Sequence, residues 1–407
     1  MTQNKDTVDN MMFLKKENIS GIVFSAQPER DALLTDFSVE REELFTGAAK
    51  YRLGTRSWQM TGFRQEVYNL FFETGIFGGA GNLLDSTKVG EIKADHKVIG
   101  LRANATADYS SRFYYDTRNY SLVEVNAWGR YGVYRQTSEG TVTDSAGVQS
   151  VYENTENLDK LRYGFQAKAA WGYGKLNVLN HYMVAEYLLN KHYSRRVFSD
   201  EETLKLAQQI AKIKHNRNVK TNLLSDKEVQ QLKDFLRNQM MLKAPENMEN
   251  DWQLGEFFPR YNGNRLEFGP FFRYYNREPD FVYGAFIQFD HSKYIDVKKN
   301  RNFSIALKYN RYKIRSWLVM ETDLNWSFYR DLKSRFTAGM KYVPGIIVKN
   351  IDDFGPLRNG FVPYLEYFTQ LSSTVRVNAA ISWQMTDDER FMQNGPLFSL
   401  VLYRSRY

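Results

Sequence analysis

The chain has 407 residues, a formal net charge of +8, 15% aromatic residues and no cysteine. The missing thiols exclude a disulfide framework, a thiolate metal site and a cysteine nucleophile. A mean hydropathy of −0.55, with no run of 18 apolar residues, excludes a membrane-spanning helix but not a spanning β-barrel, whose strands hide their apolarity at every second position.

The opening stretch, MTQNKDTVDNMM, has no basic n-region and no apolar h-region. The chain is then either cytosolic or a mature form that has lost a signal peptide. Residues 1–46 read as an N-terminal segment. Short stretches near 20–26 and 47–57 could be strands, and the unambiguous alternation begins near residue 62. The glycine-rich GIFGGAGN at 75–82 follows no βαβ unit, so it reads as a flexible loop rather than a phosphate cradle. From Ile99 onward Leu101, Ala103, Ala105, Ala107 and Tyr109 fall on one face, with Arg102, Asn104, Thr106 and Asp108 on the other. Val123–Tyr134 and Arg162–Tyr173 repeat the pattern. These period-2 runs reach 11 residues or more, longer than the usual five or six or so of soluble strands.

From Tyr182 to Met241 the period becomes helical. Ser199 and Glu202 form a capping box ahead of Leu206, Ile210 and Ile213; Ser225 and Glu228 repeat it ahead of Val229, Leu232, Leu236 and Met240. YMVAEYLL upstream reads as a third helix. Residues 178–262 are therefore a helical insert between strand regions 47–177 and 263–407. From Lys191 to Lys243 there are 12 Lys or Arg against 6 Asp or Glu. Elsewhere the basic residues are interleaved with acids, so an anionic membrane surface fits the net charge better than nucleic acid.

Alternation then resumes, from Leu266–Tyr274 to Val375–Trp383, and ends in FSLVLYRSRY. In each strand one face is aliphatic with Tyr, Phe and Trp near the ends, and the other holds Gly, Ser, Asn and charges of both signs. This predicts an all-β fold: an antiparallel transmembrane barrel of 12–14 strands, apolar face to lipid and polar face to the lumen. The last strand, with Val401, Tyr403 and Tyr407 placed on one face, resembles the C-terminal insertion signal of Gram-negative outer-membrane β-barrel proteins; the tyrosine-rich, cysteine-free style is also similar to barrels of the Bacteroidota. The resemblance implies an outer-membrane location, outer-membrane lipid around the wall, and the barrel-assembly machinery as a partner during insertion. With the C-terminus on the periplasmic side, the turns at 113–118, 329–335 and 369–374 are periplasmic, as is the insert, and 75–96, 135–160, 343–360 and 386–396 become longer outer loops.

No HExxH, GxSxG, P-loop or dinucleotide fingerprint is present, and the five histidines are dispersed. Neither a cofactor nor a metal is implied. Asp95–His96 at the outer rim is the one pairing that admits a hydrolase. The lumen face is the more informative constellation: Arg102, Arg130, Lys168, Arg265, Arg273, Lys308, Lys341 and Arg376 against Asp108, Glu124, Glu267, Asp290, Glu321, Asp323 and Glu366. Charges of both signs fit a weakly selective polar pore or a filled lumen in which they pair, and inward Tyr134, Phe271, Phe286 and Tyr329 favour partial filling. The expected function is a non-catalytic channel or transporter for small polar solutes. The alternative is a barrel subunit or scaffold of a larger envelope assembly, its insert docking an envelope protein.

Overall fold

A computed structural model describes residues 12–34, 38–87, 90–215, 225–254, 259–276, 278–312, 316–350, 353–372, 374–387 and 393–406. Six strands come first: β1 (Phe13–Leu34), β2 (Ser38–Met60), β3 (Arg64–Thr87), β4 (Gly90–Tyr114), β5 (Asn119–Asp144) and β6 (Gln149–Val178). Then follow α1 (Asn180–His192), α2 (Asp200–His215), α3 (Ser225–Asn238) and α4 (Met248–Leu254). The remaining strands are β7 (Tyr261–Tyr275), β8 (Glu278–Asp296), β9 (Lys299–Arg311), β10 (Ser316–Tyr329), β11 (Ser334–Asn350), β12 (Asp353–Phe354), β13 (Arg358–Gln370), β14 (Val375–Thr386) and β15 (Gly395–Arg406).

Each stave pairs antiparallel with its neighbours. β1 pairs with β15, Val23 facing Val401, and β10 pairs with both β9 and β11, so the sheet closes on itself. β12 is a two-residue strand on β11; the other fourteen strands form the barrel. Closure leaves no unpaired strand edge, the condition for a sheet in hydrocarbon. The alternation of the sequence becomes the two sides of this wall. Leu53, Phe72, Ile76, Leu101, Val125, Tyr283, Leu365 and Ile381 are all exposed, while their sequence neighbours point into the lumen. So much contiguous apolar surface is a liability in water and the requirement for lipid.

Described chain ends, the insert and the short turns at 61–63, 115–118 and 330–333 share one end of the barrel, the proximal mouth. At the other end β1 to β6 overshoot. They run 22 to 30 residues, against about 9–11 needed to cross a bilayer. Segments 75–96 and 135–160, expected as outer loops, are thus mostly long paired hairpins, and much of 343–360 belongs to β11 and β13. GIFGGAGN is not a loop either. It lies within β3, where a Cβ on Gly75 would come 2.1 Å from the Ala49 carbonyl and one on Gly81 1.8 Å from that of Glu43. Glycine is used there for close approach of two backbones. Residues 13–34, of which only 20–26 read as a possible strand, form the first stave, because Phe13–Leu34 pairs with β2 along its length and Asn18–Ala26 with β15.

One expected orientation is reversed. Val401 and Tyr403 point inward and are buried, and Leu402 faces outward. Tyr407 lies outside the described residues. Both faces of this strand are apolar, so period alone does not choose; pairing to β1 and an apolar body inside the lumen do.

Candidate functional site

That apolar body is the insert. One buried cluster joins Met183, Val184 and Leu188 of α1, Leu206 and Ile210 of α2, Leu232 and Leu236 of α3 and Trp252 of α4 to inward residues of the wall: Ile19 and Val23 on β1, Tyr294 on β8, Phe368 on β13, Val401 and Tyr403 on β15. β1 and β8 are seven staves apart in a barrel of fourteen, and so lie diametrically opposite. The helices therefore reach across the proximal mouth. α1 is tied to β8 by the Tyr294 hydroxyl, which donates to Glu186 at 2.7 Å. Arg260, just before β7, lies 3.0 Å from the Tyr329 ring centroid and donates to the Val297 carbonyl at 2.8 Å.

Within the insert the caps follow the sequence. Ser199 Oγ accepts from the Glu202 amide at 3.2 Å, and the Glu202 carboxylate accepts from the Ser199 amide at 3.0 Å. The second box falls on Ser225, whose side chain lies outside the described residues; Glu228 accepts from Trp252 Nε1 at 2.8 Å. α4, which carries that tryptophan, was not predicted: seven residues give too short a period to read.

Above the insert the lumen is divided. On the β4–β8 side it is filled by the chain's own side chains. Tyr114, Tyr120, Leu122, Phe271, Val282 and Phe286 form one buried cluster. Beside it Arg112 pairs with Glu267 at 2.6 Å, Arg265 with Asp290 at 2.7 Å and with Glu267 at 3.5 Å, and Lys168 with Glu124 at 2.7 Å. Arg273 donates to the Tyr312 hydroxyl at 2.9 Å. Toward the distal end Glu29 of β1 accepts from both guanidinium nitrogens of Arg102 at 2.7 and 3.0 Å, and Arg130 lies 3.3 Å away. This bridge runs inside the barrel from β1 to β4, with Arg102 stacked 3.8 Å from the Phe77 ring.

The other half is open. A cavity of about 470 Å³ lies against β1–β3, β5, β10, β11 and β13–β15. Val23 both lines this cavity and belongs to the helical cluster, so the chamber and the insert meet at this wall residue. Lys50, Arg52, Glu73, Arg130, Asp323, Lys341, Tyr364 and Glu366 line it.

The inward set read from the sequence thus falls into three groups. Arg130, Asp323, Lys341 and Glu366 border the open chamber; Arg102, Glu124, Lys168, Arg265, Glu267, Arg273 and Asp290 stiffen the filled part. Lys308 and Glu321 pair at 2.6 Å, Arg376 pairs with Glu17 on β1, and Asp108 stands between Asn69 and Asn126 in register. Lys50, Arg52 and Glu73 were missed because β2 and the lower part of β3 carry weaker alternation than their neighbours.

Past the lipid belt, where outward positions are charged, His96 is sealed between β2 and β5. Its Nδ1 is 2.9 Å from Ser138 Oγ and its Nε2 3.0 Å from Glu42, whose other oxygen accepts from Lys160 at 3.3 Å. Ser138, His96 and Glu42 are 0%, 1% and 6% exposed, so no substrate carbonyl can approach the hydroxyl in this arrangement. Asp95, its sequence neighbour, faces outward and takes no part. Among the described residues no three His, Asp or Glu side chains converge where a metal could sit.

No protein-family model and no curated protein matches the sequence. Solved structures similar to it include the β domain of the Bordetella autotransporter BrkA (8% identity, TM-score 0.32, covering 97% of this chain and 100% of that one). An outer-membrane channel from Pseudomonas putida F1 (9%, 0.32, 96% and 94%) and the outer-membrane protease OmpT of Escherichia coli (8%, 0.29, 96% and 95%) are others. A channel and a protease stand side by side among them, and likeness at this level carries no functional argument. The transmembrane-barrel architecture rests on this chain's own closed sheet, apolar belt and charged interior.

Proposed function

We propose that this protein is an outer-membrane channel for small polar solutes, closed at its periplasmic mouth by the helical insert. The observation that carries the reading is a polar chamber of about 470 Å³ in a lumen whose proximal mouth the helices cross, the two meeting at Val23. A lumen filled only for stiffness would leave no such space, and an open pore would have no helices packed across its mouth. The reading contains no catalytic step; the burial of Ser138 supports that part of it. The proximal mouth is taken as periplasmic, because short turns gather at that end in barrels of this kind. Outer-membrane fractionation of the native protein tests the location.

The decisive experiment is planar-bilayer conductance of the full chain and of a variant in which residues 182–245 are replaced by a short turn. Near-silent wild type and a conducting variant support a plugged channel. Equal conductance in both overturns the plug. A second reading, docking of an envelope protein by the insert, draws on the α1–α2 loop, where Arg195 is exposed and Val197 is 96% exposed. It wins if the variant loses a co-purifying protein while conductance stays the same.

A further inference from the structure

We propose that the chamber is a binding site for short peptides with free termini, holding the carboxylate on one flank and the ammonium on the other. The inference rests on the channel reading and names its solute.

The back wall is made by β14, β15 and β1. The register runs Glu366 to Ala380 to Ser399 to Ser25 across it, a row of small or hydroxyl side chains that leaves room. On one flank stand Lys50, Arg52 and Arg130. Their acid on that flank is Glu73, 3.2 Å from Lys50 and hydrogen-bonded by Arg52 Nε at 2.7 Å. Arg130 shares Glu29 with Arg102, so four cations to two carboxylates leave that flank positive. The other flank, on β10, β11 and β13, lines the chamber with Asp323 and Glu366 and one lysine, Lys341; the second cation, Arg335, is not among the lining residues. Tyr364 donates to Asp323 at 2.8 Å and fixes that carboxylate toward the chamber.

The acidic flank is also the loosely held one. Lys341 stands 3.9 Å from Asp323, their side chains 53% and 30% exposed, and Arg335 stands 3.6 Å from Glu366. Long, half-exposed pairs are weak, so a ligand ammonium can replace the lysine at little cost. An anion alone would satisfy one flank and face carboxylates on the other; a cation meets the reverse. A single amino acid carries both charges on one carbon and holds them close together. A peptide of two or three residues separates the charges and suits a cavity within the usual range of roughly 300–1,000 Å³ for small-ligand sites.

The test is titration calorimetry on the full chain in detergent, with trialanine, N-acetyl-trialanine, trialanine amide and alanine. Trialanine should bind, and each blocked peptide at least about tenfold more weakly, a loss of about 1.4 kcal/mol. Asp323→Asn with Glu366→Gln should abolish discrimination against the acetylated peptide alone, and Lys50→Gln with Arg52→Gln discrimination against the amide alone. Equal affinity for all four ligands, or no binding, overturns the proposal. Should that happen while the variant lacking residues 182–245 conducts, the peptide site fails and the channel stands; should that variant be silent as well, the channel reading fails with it.

Discussion

Glu29 shows what a single inward charge does in this barrel. It holds Arg102, three staves away, and Arg130, four staves away, together, with both Glu29 and Arg102 side chains 9% exposed. Removing one partner of a buried ion pair strands the other and costs about 3–5 kcal/mol. Glu29→Gln should therefore lower the temperature at which the folded band disappears on an unheated–heated gel series, and adding Arg102→Met should restore much of the loss. Glu42 makes a pH-dependent contribution. Burial alone would raise its carboxyl, but the His96 hydrogen bond and the Lys160 ammonium outweigh it and hold it down to about 2, from an ordinary 4.5. A lowered folded-state value means that the stabilisation is complete above about 4.5 and lost as pH falls toward 2. Amide exchange in the distal parts of β2 and β4 should accelerate over that window in the native protein, and Glu42→Gln should flatten the dependence.

Elements carry their own devices. α2 begins with a reciprocal cap, and Ser199→Ala should destabilise it by about 1 kcal/mol. Faster exchange in the first turn of α2, with the barrel strands unchanged, is the expected signature. β6 and β7, the two staves that flank the insert, each carry a glycine in left-handed backbone: Gly174 at φ +94° and Gly263 at φ +128°. A side chain there is strained, by roughly 1–2 kcal/mol in the left-handed region, and a Cβ would also meet a neighbouring carbonyl at 2.4 Å and 2.3 Å. Gly174→Ala and Gly263→Ala should each lower thermal stability more than alanine at Gly129, which has open space around it.

At the scale of the molecule, barrel and insert depend on each other unequally. Every stave finds both neighbours without the helices, because β6 and β7 pair directly from Gly164–Tyr275 to Val178–Tyr261. The helices have no such independence. Their core is completed by Ile19, Val23, Phe368, Val401 and Tyr403 of the wall, and short helices alone are marginal in water. The variant lacking residues 182–245 should accordingly keep heat-modifiable gel migration, whereas residues 178–262 expressed alone should give a circular-dichroism spectrum of low helicity. A well-folded isolated insert would show that the wall is not needed to complete its core.

Strand period, inward parity and the helical break were legible in the sequence because each is a local rule. A strand in lipid must alternate, so Ile99–Tyr109 and Leu318–Phe328 declare their faces residue by residue, and the inward charges on those strands follow. Helix caps are equally local, as Ser199 and Glu202 show. What stayed hidden depends on partners distant in sequence. Val401 and Tyr403 point inward because α1 to α4 make that side of the lumen apolar, and a strand apolar on both faces cannot announce which one meets lipid. Gly75 and Gly81 are strand residues because β2 comes within contact of them, although glycine on its own reads as loop. The chamber is a tertiary product altogether: Lys50 and Arg52 face Asp323 and Glu366 only once fourteen staves have closed, and the space between them exists because small side chains on β14, β15 and β1 fall in one register.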